Sequence, residues 1–131
     1  MQILINAAEP SLESFKRATG IEFISLNSPA SRDSVAVVVQ GSSFEKDISI
    51  ALQLGVPVVV VAGNDRECVE HATKNFIPES CILIKQDNSV ITADGKKIAN
   101  TVGGGIGVRA VVKAATYAFQ NKLCPEPLVW F

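Results

Sequence analysis

Val58-Val59-Val60-Val61-Ala62-Gly63-Asn64-Asp65 is the stretch on which the fold turns. Four consecutive valines leave no polar side, so this segment reads as a central strand covered on both faces. Pro57 stands at its start, where a missing N–H is harmless. After the valines the chain breaks into small and polar residues, and Asn64 and Glu67 have the spacing of a capping box. Cys68, Val69, Ala72 and Phe76 then repeat at helical spacing. A doubly apolar strand followed by an amphipathic helix is the unit of a parallel sheet with helices on both sides.

The same unit recurs upstream. Val35 to Val39 is a β-branched strand that exits through Gln40-Gly41-Ser42-Ser43. Ser42 and Glu45 have capping-box spacing, and Phe44, Ile48, Ala51 and Leu52 line a helix ending at Gly55. Ile3-Leu4-Ile5 exits through Asn6-Ala7-Ala8-Glu9 into a helix with Pro10 in its first turn. Leu12, Phe15 and Ala18 or Thr19 form its apolar stripe, and Gly20 suits its C′ position. Ile21 to Leu26 is a less uniformly apolar strand, as expected near a sheet edge. Residues 27–34 are too few for a helical crossover, which takes a dozen residues or more, and read as one helical turn or an extended loop.

Downstream, Cys81 to Lys85 is a fifth strand that exits through Gln86-Asp87. Residues 89–99 read as a hairpin turning at Asp94-Gly95, with Lys96 and Lys97 guarding its edge. Gly103-Gly104-Gly105-Ile106-Gly107 precedes an alanine- and valine-rich helix that runs to about Lys122. Cys124-Pro125-Glu126-Pro127 ends that helix, and Leu128-Val129-Trp130-Phe131 completes an apolar tail over 124–131. The expected fold is a single α/β domain over residues 1–131. It is a three-layer sandwich with a five-stranded parallel sheet and an added β-hairpin before the last helix.

A chain of 131 residues with 47% hydrophobic composition is long and apolar enough for one packed core. The formal net charge of −1 leaves no basic footprint for nucleic acid, and no charge run suits an anionic membrane surface. No apolar run approaches the ~20 residues of a membrane span, and the amino terminus lacks the pattern of a signal peptide. Cys68, Cys81 and Cys124 are odd in number and widely spaced, which is neither a disulfide framework nor a metal signature. Reduced thiols in a cytoplasmic protein are the expectation. His71, the one histidine, lies three residues from Cys68, and two ligands do not make a zinc site.

The order of elements resembles the flavodoxin-like fold and, within it, the receiver domain of response regulators. That resemblance covers about residues 1–88 plus the last helix and implies a sheet order of 2-1-3-4-5. Lys85 stands where receivers carry a lysine at the end of the fifth strand. The other receiver positions differ. Ala7-Ala8-Glu9 replaces the acidic pair, Gln40 or Gly41 falls where the phosphorylated aspartate belongs, and Ala62 replaces a serine or threonine. Without the acidic pair, Mg²⁺ has too few hard oxygen ligands. The resemblance therefore implies a degenerate receiver that is not phosphorylated in the usual way. Such domains also stand in front of ParA/MinD-type ATPases, and this chain has no Walker A motif of its own.

The strand exits are where an open α/β sheet places a ligand. The candidate binding residues are Glu9, Ser42, Ser43, Asn64, Asp65 and Lys85, joined by Gly103, Gly104, Gly105, Gly107 and Arg109 of the glycine-rich turn. That turn could hold an anion at a helix start, with Arg109 adding positive charge. It fits neither a dinucleotide fingerprint nor a P-loop, and the simpler reading is a joint that lets the last helix sit close to the sheet. Ser42-Ser43 and Asn64-Asp65 also have a complete explanation as helix caps. No catalytic or metal-ligating set stands out. The leading functional expectation is a non-catalytic regulatory or protein-interaction domain that pairs with a protein partner or a second copy. The alternative is a binder, or an enzyme, for a nucleotide or other phosphate-containing ligand at the same sheet edge. No cofactor is expected beyond such a ligand, and neither nucleic acid nor membrane is expected as a partner.

Overall fold

The computed structural model describes residues 1–63, 70, 82–86, 89–92, 97–100 and 107–121. Their strands are β1 (Gln2–Ile5), β2 (Glu22–Ser25), β3 (Ser34–Val39), β4 (Val58–Gly63), β5 (Ile82–Gln86), β6 (Ser89–Thr92) and β7 (Lys97–Asn100). Three helices are described in full: α1 (Glu9–Thr19), α2 (Phe44–Gln53) and α3 (Val108–Asn121).

The chain is α/β, and β1 to β4 are parallel in the order 2-1-3-4, with β1 seated between β2 and β3. β5 continues beside β4 in parallel, with a register shift between Val61 and Gly63. Alternation along the buried strands divides the core. Leu4, Ala36, Val38, Val58 and Val60 face α2, where they meet Phe44, Ile48, Ala51 and Leu52. Ile3, Ile5, Val35, Val37 and Val59 face the other way, toward Leu12 of α1 and the alanines of α3. Ala110, Ala114, Ala115 and Ala118 are all buried, so α3 presents a surface of methyl groups that lets its backbone lie close to the sheet.

The hairpin is not an appendage to the parallel core. β6 pairs antiparallel with β5 from Leu83–Thr92 to Gln86–Ser89, and β7 pairs antiparallel with β6, giving one seven-stranded mixed sheet. Only positions 87 and 88 separate β5 from β6. A link that short forces the chain straight back onto the strand it has just left. The Asp94-Gly95 pair in the sequence predicts the β6–β7 pairing alone. β7 is the outer edge, and its Lys97 is exposed, as edge protection requires.

Residues 26–33 cross from β2 to β3 without a helix. They make two tight turns, with Ser28 N donating to Ser25 O and Ser34 N donating to Ser31 O. The short strands make this possible. A four-residue strand rises about 13 Å and a step of two strands is about 10 Å, while eight extended residues reach about 26 Å. Leu26 is buried against the α2 side of the sheet, with Ala30 beside it, so the loop covers part of the face a crossover helix would take.

At the amino end of the sheet a polar chain holds this loop. Ser34 is fully buried, and its Oγ donates to Gln2 Oε1 at 3.0 Å and accepts from Ser31 N at 2.8 Å. Gln2 Nε2 donates in turn to Glu22 Oε1 at 2.9 Å. Ser34→Ala is expected to cost about 1–2 kcal/mol, toward the low end for a broken buried hydrogen bond, because Ser31 can turn to water. Urea unfolding checks this as a lower midpoint with an unchanged slope.

The helix ends follow the sequence with one difference. Gly20 (φ +73°) ends α1 with its N–H donating to Lys16 O, and Gly55 (φ +70°) follows the last turn of α2. Both occupy the left-handed region that only glycine enters without strain. The α2 cap is Ser43, one residue later than the capping-box spacing predicts, and its side chain makes no capping hydrogen bond. No helix among the described residues is long and apolar enough to cross a membrane.

Candidate functional site

The carboxyl ends of β1 and β3 open on a cleft of about 320 Å³. Ile5, Asn6 and Ala7 line it from the end of β1, and the segment from Val39 to Ser43 lines it from the end of β3. The helices contribute Phe15 from α1 and Asp47 from α2.

Asn6 organises this corner. Ile5 is the last residue of β1 in register with β3, opposite Val37. Beyond it the Asn6 side chain extends the ladder in place of the main chain. Its Nδ2 donates to Val39 O at 2.9 Å, and Val39 N donates to its Oδ1 at 2.7 Å. Among side chains only a carboxamide reproduces the paired donor and acceptor of a peptide group. The remaining Nδ2 proton goes to Asp47 Oδ2 at 2.7 Å. Three partners of fixed polarity therefore set the orientation of the amide. Asp47 lies near the start of α2, where the helix dipole favours a negative charge. One side chain thus ties two strands and a helix together at the mouth of the cleft.

Gln40 is exposed, and its main-chain N–H donates to Val61 O at 3.0 Å, which carries the β3–β4 ladder one step past β3. Ser42 and Ser43 are exposed on the rim. The described lining residues offer one carboxylate, two hydroxyls and two carboxamides over an apolar floor, and none of them carries an imidazole, thiol or amine.

Of the residues predicted for a site, Ser42 and Ser43 are brought into the cleft. Glu9 opens α1, and Gly107 and Arg109 lie at the start of α3; all three are exposed and outside the cleft lining. Lys85 is in β5 opposite Val90. Asn64, Asp65, Gly103, Gly104 and Gly105 lie outside the described residues, as do the three cysteines, His71, the helix expected after Asn64 (apart from Glu70) and the apolar tail. Among the described residues no group of three or more His, Cys, Asp or Glu side chains is placed to hold a metal ion.

Asn6, Asp47 and Phe15 were not singled out by sequence as site residues. Asn6 and Asp47 are 41 positions apart on different elements, and no local spacing links them. The one signal present was an asparagine at a strand exit. No protein-family model, curated protein or solved structure matches the chain.

Proposed function

We propose that this chain is a non-catalytic, receiver-like regulatory domain that acts through protein contact rather than through phosphorylation. The observation that carries the reading is the Asn6–Val39–Asp47 network. A receiver keeps the ends of its first and third strands open for a metal and a phosphoacceptor carboxylate. Here the side chain just past β1 is committed to main-chain pairing and to Asp47, and the residue just past β3 is Gln40. A flavodoxin-like sheet of five parallel strands, with α1 and α3 on one face and α2 on the other, is the scaffold this reading uses. The partner it calls for is another protein or a second copy of the chain.

Two measurements test it. Incubation with acetyl phosphate and Mg²⁺ is expected to leave the intact mass unchanged, while sedimentation velocity and affinity capture show self-association or a retained partner. Uptake of a phosphoryl group overturns the first half of the reading. A strict monomer that retains no protein overturns the second.

A further inference from the structure

We propose that the cleft at the ends of β1 and β3 binds a small organic cation, an ammonium or amidinium group carried on an apolar body. The inference goes beyond the regulatory reading and does not depend on it.

Size comes first. A volume of about 320 Å³ lies at the lower end of small-molecule sites, which run from about 300 to 1,000 Å³. Charge decides the class of ligand. Among the described residues Asp47 is the only ionisable one in the lining, and no described lysine, arginine or histidine lines the cleft. The amino end of α2, which opens beside Ser43, would by itself favour an anion. Asp47 already supplies that negative charge from within the helix, so a phosphate arriving here meets a carboxylate with no cation among the described lining residues to offset it. Lys46, the neighbouring basic residue, is exposed and outside the lining.

Hydrogen-bonding capacity points the same way. A carboxylate has about four acceptor sites. Among the described side chains Asp47 receives one bond, from Asn6. Asn6 has spent both amide protons, on Val39 and on Asp47, so it aims the carboxylate and has no proton left to offer a ligand. The cleft therefore asks for donors. Its floor suits the apolar body: Ile5, Ala7 and Val39 are apolar, and the Phe15 ring is set in place by Phe23, with centroids 5.4 Å apart. Phe15 and Asp47 both line the cleft, so an aromatic quadrupole and a negative charge are each available there to attract a cation. Gln40, Ser42 and Ser43 on the rim can meet any remaining polar groups.

The test is a titration of the chain followed by backbone amide NMR, using benzylamine, its neutral counterpart benzyl alcohol, benzoate and inorganic phosphate as probes. Benzylamine is expected to shift the amides of Asn6, Gln40 to Ser43 and Asp47. Benzyl alcohol should bind about tenfold more weakly or worse, and benzoate and phosphate should leave these signals in place. Asp47→Asn keeps an oxygen to accept from Asn6 and removes only the charge, and it should lower benzylamine affinity about tenfold. The ranking of the four probes on the unmodified chain tests the charge even if that variant does not fold. An equal response to benzyl alcohol, a stronger response to phosphate or benzoate, benzylamine shifts that map elsewhere, or affinity unchanged in Asp47→Asn would each overturn the proposal.

Discussion

Asn6→Asp destabilises the chain more than Asn6→Ala at neutral pH, although aspartate has the same shape and alanine removes the side chain. The variant keeps an oxygen for Val39 N–H but turns the donor into a second carboxylate oxygen. That oxygen then faces Val39 O, now 2.9 Å from Nδ2, and the Asp47 carboxylate, now at 2.7 Å. Two attractive contacts become repulsive in a half-buried corner. The expected loss is about 3 kcal/mol, against about 2 kcal/mol for Asn6→Ala, which only leaves the partners unpaired. The pH dependence separates the two variants. Neighbouring carboxylates in the folded state take up a proton more readily than they do in the unfolded chain. The Asn6→Asp loss therefore shrinks as pH falls into the carboxylate range, near about pH 4, and is greatest at neutral pH. Asn6→Ala brings no second carboxylate, so this repulsion is absent from it at every pH. Urea unfolding of both variants at neutral and acidic pH checks this, and equal losses at both pH values for Asn6→Asp would contradict the geometry.

Among the described residues, Phe23→Ala is expected to carry the largest cost of a single truncation. Phe23 is 2% exposed and lies on the face of the sheet shared by α1 and α3. Its ring stacks at a tilt of 56° on Phe15, whose other contacts include the cleft. Removing an aromatic ring from a packed site costs about 3–5 kcal/mol, from lost transfer energy and from the cavity left behind. Domains of this size are stable by only about 5–15 kcal/mol, so the variant sits close to the limit of folding. Phe23→Leu retains most of the volume and is expected to lose about 1.5 kcal/mol or less. Thermal unfolding of the two variants gives the ordering. Because Phe15 forms part of the cleft, the alanine variant should also weaken binding of any ligand seated there, which the NMR titration would record.

Much of the scaffold could be read directly from residue types. The valines of β3 and β4, the apolar stripes of α1 and α2, and Gly20 and Gly55 after them all follow from local rules: doubly apolar strands, helical periodicity and left-handed turn residues. The parallel order 2-1-3-4 is the one that the resemblance to the flavodoxin-like fold implies; alternation and right-handed crossover alone also allow other orders. The carboxyl edge as the place of a cleft also follows from that alternation, because every parallel strand ends there.

What sequence did not reveal depends on contacts between distant segments. β6 joins the main sheet because the link at 87–88 is too short to lead anywhere else, a consequence of chain geometry that residue preferences do not display. The cap of α2 moves to Ser43 because packing of Phe44 and Ile48 on the sheet fixes where the helix starts. Ser34, buried and polar at the start of a strand of valines, is tolerated because Gln2, 32 residues away, accepts from its hydroxyl, in addition to the local bond from Ser31. The same holds for the site. Sequence determined an α/β scaffold and the edge on which a ligand would sit. Only the tertiary structure paired Asn6 with Val39 and Asp47, because hydrogen-bond partners 33 and 41 residues away are chosen by how strands and helices dock, not by local spacing.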